Sequence, residues 1–413
     1  MRSFSFTFSF LLLCIGVQAQ SKMQIWSGEH LTEYAVEAID SITFAQMAPT
    51  DYQLKSTHRI DDGRVLAVLA YSSRDAQGQA VTLTGAVVYC DTTTAPKKFI
   101  EIGCHITELE AMPSFPETTL FLSKSGVLLM PHYLGYVGTY DRIHPYLSAD
   151  LQAQNQIDFV KPAIAFLQEQ GVTFSDSCIT FAMGYSQGGF VALATQRAIE
   201  RNPALCDTLR FKGSVCGAGP YSPTLTFESY LAADSLTYPC AIPLTVLGMT
   251  DSYPDLFQGI SPEDYLSEEF LFTKPFVHAR MKDLSSSDFN QLILTKTHNR
   301  ADPATLFSPQ ALDTTTAAMR ALRTAFDRND LTKGWTPAHP IAYFHSPEDD
   351  VVPYENTTAL LNAFGETGLL HQLDPAVYPA MGEHVAAGGL FLFIANFYLD
   401  NLIQTYLYPD YQP

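Results

Sequence analysis

Gly184-Tyr185-Ser186-Gln187-Gly188 constrains this chain more than any other stretch. The apolar run Cys178-Ile-Thr-Phe-Ala-Met183 precedes it, and the amphipathic segment Gly189-Phe-Val-Ala-Leu-Ala-Thr-Gln-Arg-Ala-Ile199 follows. The pattern predicts a buried strand, a tight turn and a helix, with Ser186 at the turn. A strained turn of this kind lifts the serine hydroxyl clear of the backbone. Glycines flank the serine because a side chain there would collide with the neighbouring strand or helix. The helix N-terminus then sets backbone N–H groups where an oxyanion would develop.

Around this turn the chain alternates. Arg64 to Tyr71 and Val81 to Tyr89 read as two strands joined by the polar turn Arg74 to Gly78, hence an antiparallel hairpin. Phe99 to Gly103 and Gly126 to Met130 read as strands, Leu151 to Glu169 as a helix ending at Gly171, and Phe211 to Cys216 as a further strand. Such alternation predicts right-handed crossovers and a mostly parallel central sheet flanked by helices. It stops at Tyr221. Residues 221–334 show amphipathic segments and no clear strand, one of them running from Ser308-Pro309 through Met319, Leu322 and Phe326. This reads as a helical cap inserted into an α/β core made of residues 20–220 and 335–413. The sheet resumes at Pro340 to His345. A helix over Tyr354 to Ala363, a last short strand over Pro375 to Tyr378 and a closing helix over His384 to Tyr398 follow. Residues 20–60 read as a partly helical lead-in.

A serine needs a general base, and the base needs an orienting acid. Strand-end loops supply both here. Ser346-Pro-Glu-Asp-Asp-Val-Val-Pro353 follows a strand, and Asp349 takes the first position of its D-x-x-V-P pattern; Glu348 and Asp350 are neighbours easily mistaken for it. Gly382-Glu-His384 delivers the base after the last strand. Of the 11 histidines, His345 and His105 also follow predicted strands. His345 lies four residues before Asp349 on one loop, which suits a structural or pocket-lining role, and His105 precedes the nucleophile. The oxyanion donors fall to the backbone N–H of Gln187 and to the loop after Gly103, with Ile106 preferred and Thr107 as its rival.

Composition narrows the context. The 413 residues are 46% hydrophobic, ample for a large core. The formal charge is −19, one unit more negative once Arg2 leaves with a leader, so nucleic acid and anionic membrane surfaces are poor partners. Residues 1–19 read as a signal peptide: Arg2 gives the positive charge, Phe8 to Val17 the apolar stretch, and Val17-Gln18-Ala19 the cleavage site. Export to a periplasm or the medium follows as an expectation, with no transmembrane segment. A lipoprotein reading through Cys14 is weaker, because Leu13 stands where a small residue is expected. Six cysteines remain after Cys14 is removed, and Cys178 with Cys206 is the first pairing to expect in an exported chain. No CxxC or HExxH spacing points to a metal, and the expected chemistry needs no cofactor.

At this point the chain resembles the α/β-hydrolase superfamily, and within it the secreted lipase/esterase-like branch with a helical cap. The stretches that carry the likeness are His105-Ile-Thr107 with Pro113-Ser114, Met130-Pro-His-Tyr-Leu-Gly-Tyr136, His144-Pro145-Tyr146, Asp158, Gly184 to Gly189, Gly217 to Tyr221, Asp349 to Pro353 and Gly382 to His384. The resemblance implies Ser186 as nucleophile, Asp349 as orienting acid and His384 as base, acting on carboxylic esters of a small molecule, lipid or glycan. Three positions depart from the family: His132 for an aspartate, Val137 for a glycine and Ile106 where many relatives have glycine. The cap aromatics Phe257, Tyr265, Phe270, Phe272 and Phe276, with Leu294, are candidates for an apolar pocket or for plain cap core. A peptidase of the same fold, with Glu263-Asp264 or Glu268-Glu269 recognising substrate, is the alternative enzyme. An inactive hydrolase-fold binding protein is the alternative outside enzymes. A carbohydrate-binding module has only Trp26 and Trp335 to offer.

Overall fold

A computed structural model describes residues 22–27, 30–35, 51–61, 63–106, 123–373 and 382–402. The chain divides into two units, residues 1–46 and 47–413. In the first, β1 (Lys22–Ser27) and β2 (His30–Ala35) pair antiparallel, with Trp26 opposite Leu31. In the second, β3 (Tyr52–Arg59) pairs with β4 (Arg64–Arg74). Most of the described lead-in is therefore strand; the rest of residues 20–50, where a helix was expected, lies outside the described residues. Bulky residues such as Met23, Ile25, Trp26, Thr32 and Tyr34 favour paired extended backbone once a partner strand is in register.

The sheet of the second unit has nine strands. β5 (Ala80–Cys90), β6 (Lys97–Cys104), β7 (Gly126–Pro131), β8 (Phe174–Tyr185), β9 (Phe211–Gly217), β10 (Ile341–Phe344) and β11 (Leu370–Gln372) join β3 and β4 in the order β11-β10-β9-β8-β6-β7-β5-β4-β3. β6 to β11 run parallel to one another, and the hairpin edge is antiparallel. The expected hairpin forms with Arg74 opposite Ala80. β6 and β7 are buried along almost their whole length, as strands covered on both faces must be. β11 was not expected. The strand expected over Pro375 to Tyr378 lies outside the described residues.

Helices cover both faces. On one, α1 (Ala149–Glu169) and α2 (Gln187–Glu200) bury Phe159, Phe166, Val191 and Leu193 against the strands. α3 (Pro203–Leu209) leads into β9. Between β9 and β10 the described elements are helical. They include α4 (Pro223–Ala232), α5 (Ala241–Ser252) and α6 (Ala317–Asn329), with shorter helical segments between α5 and α6. α7 (Glu355–Phe364) follows β10, and α8 (His384–Leu402) covers the opposite face, where Phe391 and Ala395 pack on Phe181, Val215 and Phe344.

The β9–β10 segment is broken into short helices by its own start signals. Ser261-Pro262, Asp302-Pro303 and Ser308-Pro309 each supply a side-chain cap with proline just inside. The single helix expected from Ser308 to Phe326 is for this reason two. It stops at Leu312 and restarts when Thr316 caps the Met319 N–H.

The expected Cys178–Cys206 disulfide is absent. All six described cysteines are free. Cys206 lies within helix α3 and not in an extended approach to β9. Burial pushes the Cys178 thiol up to about 12, which keeps it protonated and unreactive.

Candidate active site

Ser186 follows β8 and precedes the first residue of α2, at φ 57° and ψ −123°. Such a backbone is costly for a side-chain-bearing residue, about 1–3 kcal/mol, and persists only where its surroundings dictate it. Here the Ser186 N–H donates to Gly217 O at 2.8 Å. A Cβ on Gly184 would stand 2.3 Å from Gly188 O, so only glycine lets the strand and helix approach this closely.

His384 begins α8. Its Nδ1 donates to Asp349 Oδ2 at 2.6 Å, and its Nε2 accepts from Ser186 Oγ at 2.8 Å. An ionised carboxylate only accepts, which places the imidazole proton on Nδ1 and leaves Nε2 free for the serine. The expected acid, base and nucleophile, drawn from three separate loops, form one continuous chain.

Asp349 lies past β10 with its side chain sealed from solvent. Oδ1 accepts the N–H groups of Val351 at 3.0 Å and Val352 at 2.7 Å. Burial would raise its carboxyl, but hydrogen bonds from His345 and His384 and their charges more than offset this and hold it well below the usual range. Asp349 is therefore an anion at neutral pH.

Two residues secure His384 that sequence reading did not assign. Asp350 Oδ1 accepts the His384 backbone N–H at 3.0 Å. The Tyr185 hydroxyl donates to the His384 carbonyl at 2.8 Å, and the two rings pack 5.0 Å apart. Burial raises the Tyr185 phenol, so it stays a donor. Ser346 Oγ donates to Gly382 O at 2.6 Å, tying the acid loop to the base loop. The available signal was position alone: Tyr185 stands inside the serine pentapeptide and Asp350 beside the acid.

Gln187 is buried in the first turn of α2, and its Nε2 donates to His144 Nε2 at 2.6 Å. His144 Nδ1 donates to Leu134 O at 3.0 Å. Burial depresses His144 to about 4, so it is neutral and its Nε2 accepts. This fixes the residue whose N–H was assigned to the oxyanion. Ile106 lines the same cavity as Ser186. Thr107 lies outside the described residues.

Other candidates bond mainly to the surrounding scaffold. His132 Nδ1 donates to Thr84 Oγ1 at 2.8 Å, and that hydroxyl donates to Val137 O at 2.8 Å. Burial holds His132 near 3, so a neutral group stands where the family has an acid. Asp158 accepts from Ser73 at 2.8 Å and from Gln154 at 2.6 Å, joining α1 to β4. His345 bonds Thr357 at 2.8 Å and the Val352 carbonyl at 3.1 Å. Of the acids proposed to read a peptide, Asp264 accepts the Ser261 N–H and Glu269 pairs with Arg300.

An apolar cavity of about 180 Å³ opens at Ser186 and His384. The β9–β10 segment lines it through Phe227, Tyr230, Tyr238 and Thr245, and α8 through Val385 and Leu392. The aromatics named from sequence lie elsewhere. Phe257, Tyr265, Phe270 and Phe276 are core, Leu294 packs at its margin, and Phe272 is exposed. Residues close to the hinge with the sheet reach the serine, whereas the more distant ones pack on each other.

A mostly parallel nine-stranded sheet, helices on both faces and a serine turn leaving β8 make the fold that of an α/β-hydrolase. Residues 117–387 match the secretory lipase family, and the chain belongs to it, which makes it a lipase-like ester hydrolase. Among solved structures, it is similar to the rice cell wall degrading esterase LipA from Xanthomonas oryzae. That match has a TM-score of 0.69 at 20% identity, covering 87% of this chain and 98% of the esterase. A putative hydrolase from Legionella pneumophila matches at TM-score 0.67 and 15% identity, over 86% of this chain and 99% of that one. Candida antarctica lipase A matches at TM-score 0.59 and 16% identity, over 82% and 78%. No curated protein matches by sequence.

Proposed function

We propose that this protein is an exported carboxylic ester hydrolase that works through an acyl-enzyme on Ser186. The observation that carries this is the unbroken Asp349–His384–Ser186 hydrogen-bond chain at the mouth of an apolar cavity. In this reading Ser186 Oγ attacks the ester carbonyl while His384 Nε2 takes its proton. Asp349 stabilises the imidazolium, and the N–H groups of Gln187 and Ile106 hold the oxyanion. The imidazolium then protonates the leaving alcohol. A water deprotonated by His384 attacks the acyl-enzyme and releases the acid. Residues 221–334 act as the cap, residues 1–19 as the signal peptide cleaved near Ala19, and no cofactor takes part. Among the described residues no helix is long and apolar enough to cross a membrane.

The substrate is an ester with a short acyl chain. A cavity of about 180 Å³ is smaller than the ~300–1,000 Å³ of sites that take drug-sized ligands. Hydrolysis of p-nitrophenyl esters from acetate to palmitate tests both statements. Short esters are expected to exceed palmitate by about tenfold or more in kcat/KM, since each buried methylene is worth only about 0.8 kcal/mol when it fits and costs more when it does not. Phe227→Ala is expected to move the optimum toward longer chains. Full activity in Ser186→Ala would remove the nucleophile assignment, and a wild-type optimum at palmitate would remove the short-chain one.

A further inference from the structure

His345 is buried, and its ring has a defined proton arrangement. Nε2 stands 3.1 Å from Val352 O and 3.3 Å from Asp349 Oδ2, the oxygen that also takes His384 Nδ1 at 2.6 Å. Both neighbours of Nε2 only accept, so Nε2 carries the proton; it bonds the Val352 carbonyl and lies within ion-pair distance of Asp349 Oδ2. Nδ1 then accepts from the Thr357 hydroxyl at 2.8 Å, which fixes the tautomer from the other side. The Tyr354 ring packs 5.3 Å away and holds the imidazole plane. Asp349 is thus bracketed: two backbone N–H groups on Oδ1, two imidazoles on Oδ2.

We propose that His345 is a positioning residue for the Asp349 carboxylate. Through Nε2–H it holds Oδ2 toward His384 and takes up part of the charge that His384 would otherwise meet alone. The proposal rests on reading Ser186, His384 and Asp349 as the catalytic set. Burial pushes the Asp349 carboxyl up, and the bond from His345 is the largest influence opposing it, in keeping with this geometry. The other titratable groups around the carboxylate are Asp350 on the same loop, Tyr185 from β8, Tyr230 from α4, and Tyr354 and Glu355 at the start of α7. All are unchanged in the variants below.

The sign follows from the shared oxygen. Removing the His345 donor concentrates charge on the His384 side and favours the imidazolium. The acid-side midpoint of the kcat/KM profile then rises. Freedom of the carboxylate plane also lowers kcat, because orientation of the base is lost. For His345→Leu we expect a midpoint about half a pH unit higher and kcat down about tenfold, with KM within about twofold. His345→Gln keeps an N–H near the Nε2 position and is expected to restore the wild-type midpoint. Thr357→Val, which frees the tautomer without touching the ring, is expected to move the midpoint the same way by less.

The experiment is the pH profile of p-nitrophenyl ester hydrolysis for the full protein and these three variants. Fluorophosphonate labelling of Ser186 in the wild type runs beside it. A midpoint raised in the leucine and valine variants and restored by glutamine supports the proposal. A wild-type midpoint in a folded His345→Leu, or a glutamine variant displaced as far as leucine, overturns it. Where His345→Leu does not fold, Thr357→Val decides in the same terms. A wild type that is neither active nor labelled overturns the catalytic reading itself, and this proposal with it; labelling with unmoved midpoints overturns only the role of His345.

Discussion

Ser186→Ala and His384→Ala are each expected to lower kcat/KM by about 10⁴- to 10⁶-fold, and the double variant to fall no further. In the proposed mechanism the two side chains act as one unit. Ser186 Oγ stands 2.8 Å from His384 Nε2, and without that acceptor the hydroxyl keeps its proton. Without the hydroxyl, the imidazole has nothing to activate except water. What survives in either variant is expected to come from cavity binding and the proposed oxyanion donors, which both variants retain. Asp349→Asn is expected to lose less than either, because an amide at Oδ2 still fills the space but presents the wrong proton to Nδ1. Steady-state kinetics on one short ester with all four proteins checks this. Multiplying losses in the double variant would mean that the serine and histidine act separately, and the shared-unit account would fall.

The fold around this unit was largely legible in the sequence, because local signals there agree with the global arrangement. The apolar run before Gly184, the glycines around Ser186 and the periodic helix after it each specify the same strand–turn–helix. The same holds for the hairpin over residues 64–90, where β-branched strands flank a polar turn. In the lead-in, Lys22–Ser27 and His30–Ala35 take their extended form from pairing with each other, which single-residue propensity does not show. In the β9–β10 segment the hydrophobic period read across Asp313 to Thr316 as one helix. Start signals won over period, since Thr316 caps a new helix instead of continuing the old one.

The convergence of the candidate residues was legible as far as chain order reaches. Loops at strand ends supplied Ser186, Asp349 and His384, and these meet. Sequence does not show which side chains stand behind them. Tyr185, Asp350 and His144 act through distances of 2.8, 3.0 and 2.6 Å that depend on how three loops converge. The cavity lining failed for a related reason. Phe270 and Tyr265 are as apolar as Phe227, but a helical segment that buries its own core uses most of its aromatics for that purpose.

Gly188→Ala is expected to damage both stability and catalysis although it adds one methyl group. A Cβ at this position would stand 2.2 Å from Cys104 O and 2.9 Å from His105 O. Both are backbone atoms, so no side chain can swing aside. Either α2 or the loop after β6 must move by about 1 Å, and overpacking of this kind costs about 1–3 kcal/mol. The movement is also in the most harmful direction. α2 carries Gln187 and the loop carries Ile106, so pushing them apart widens the gap that their N–H groups are proposed to bridge. We expect a lower melting temperature and a kcat reduced about 100-fold or more, since a displacement near 1 Å of an oriented group can cost that much. Gly365→Ala is the control. Its added Cβ meets nothing within 4 Å and its backbone is already helical, so stability should hold or rise by up to about 1 kcal/mol with activity intact. Thermal unfolding and single-ester kinetics on the two variants decide the matter. A Gly188→Ala protein with wild-type melting and kcat would show that α2 and the loop after β6 are not held in backbone contact, and the proposed pairing of Gln187 with Ile106 would lose its structural basis.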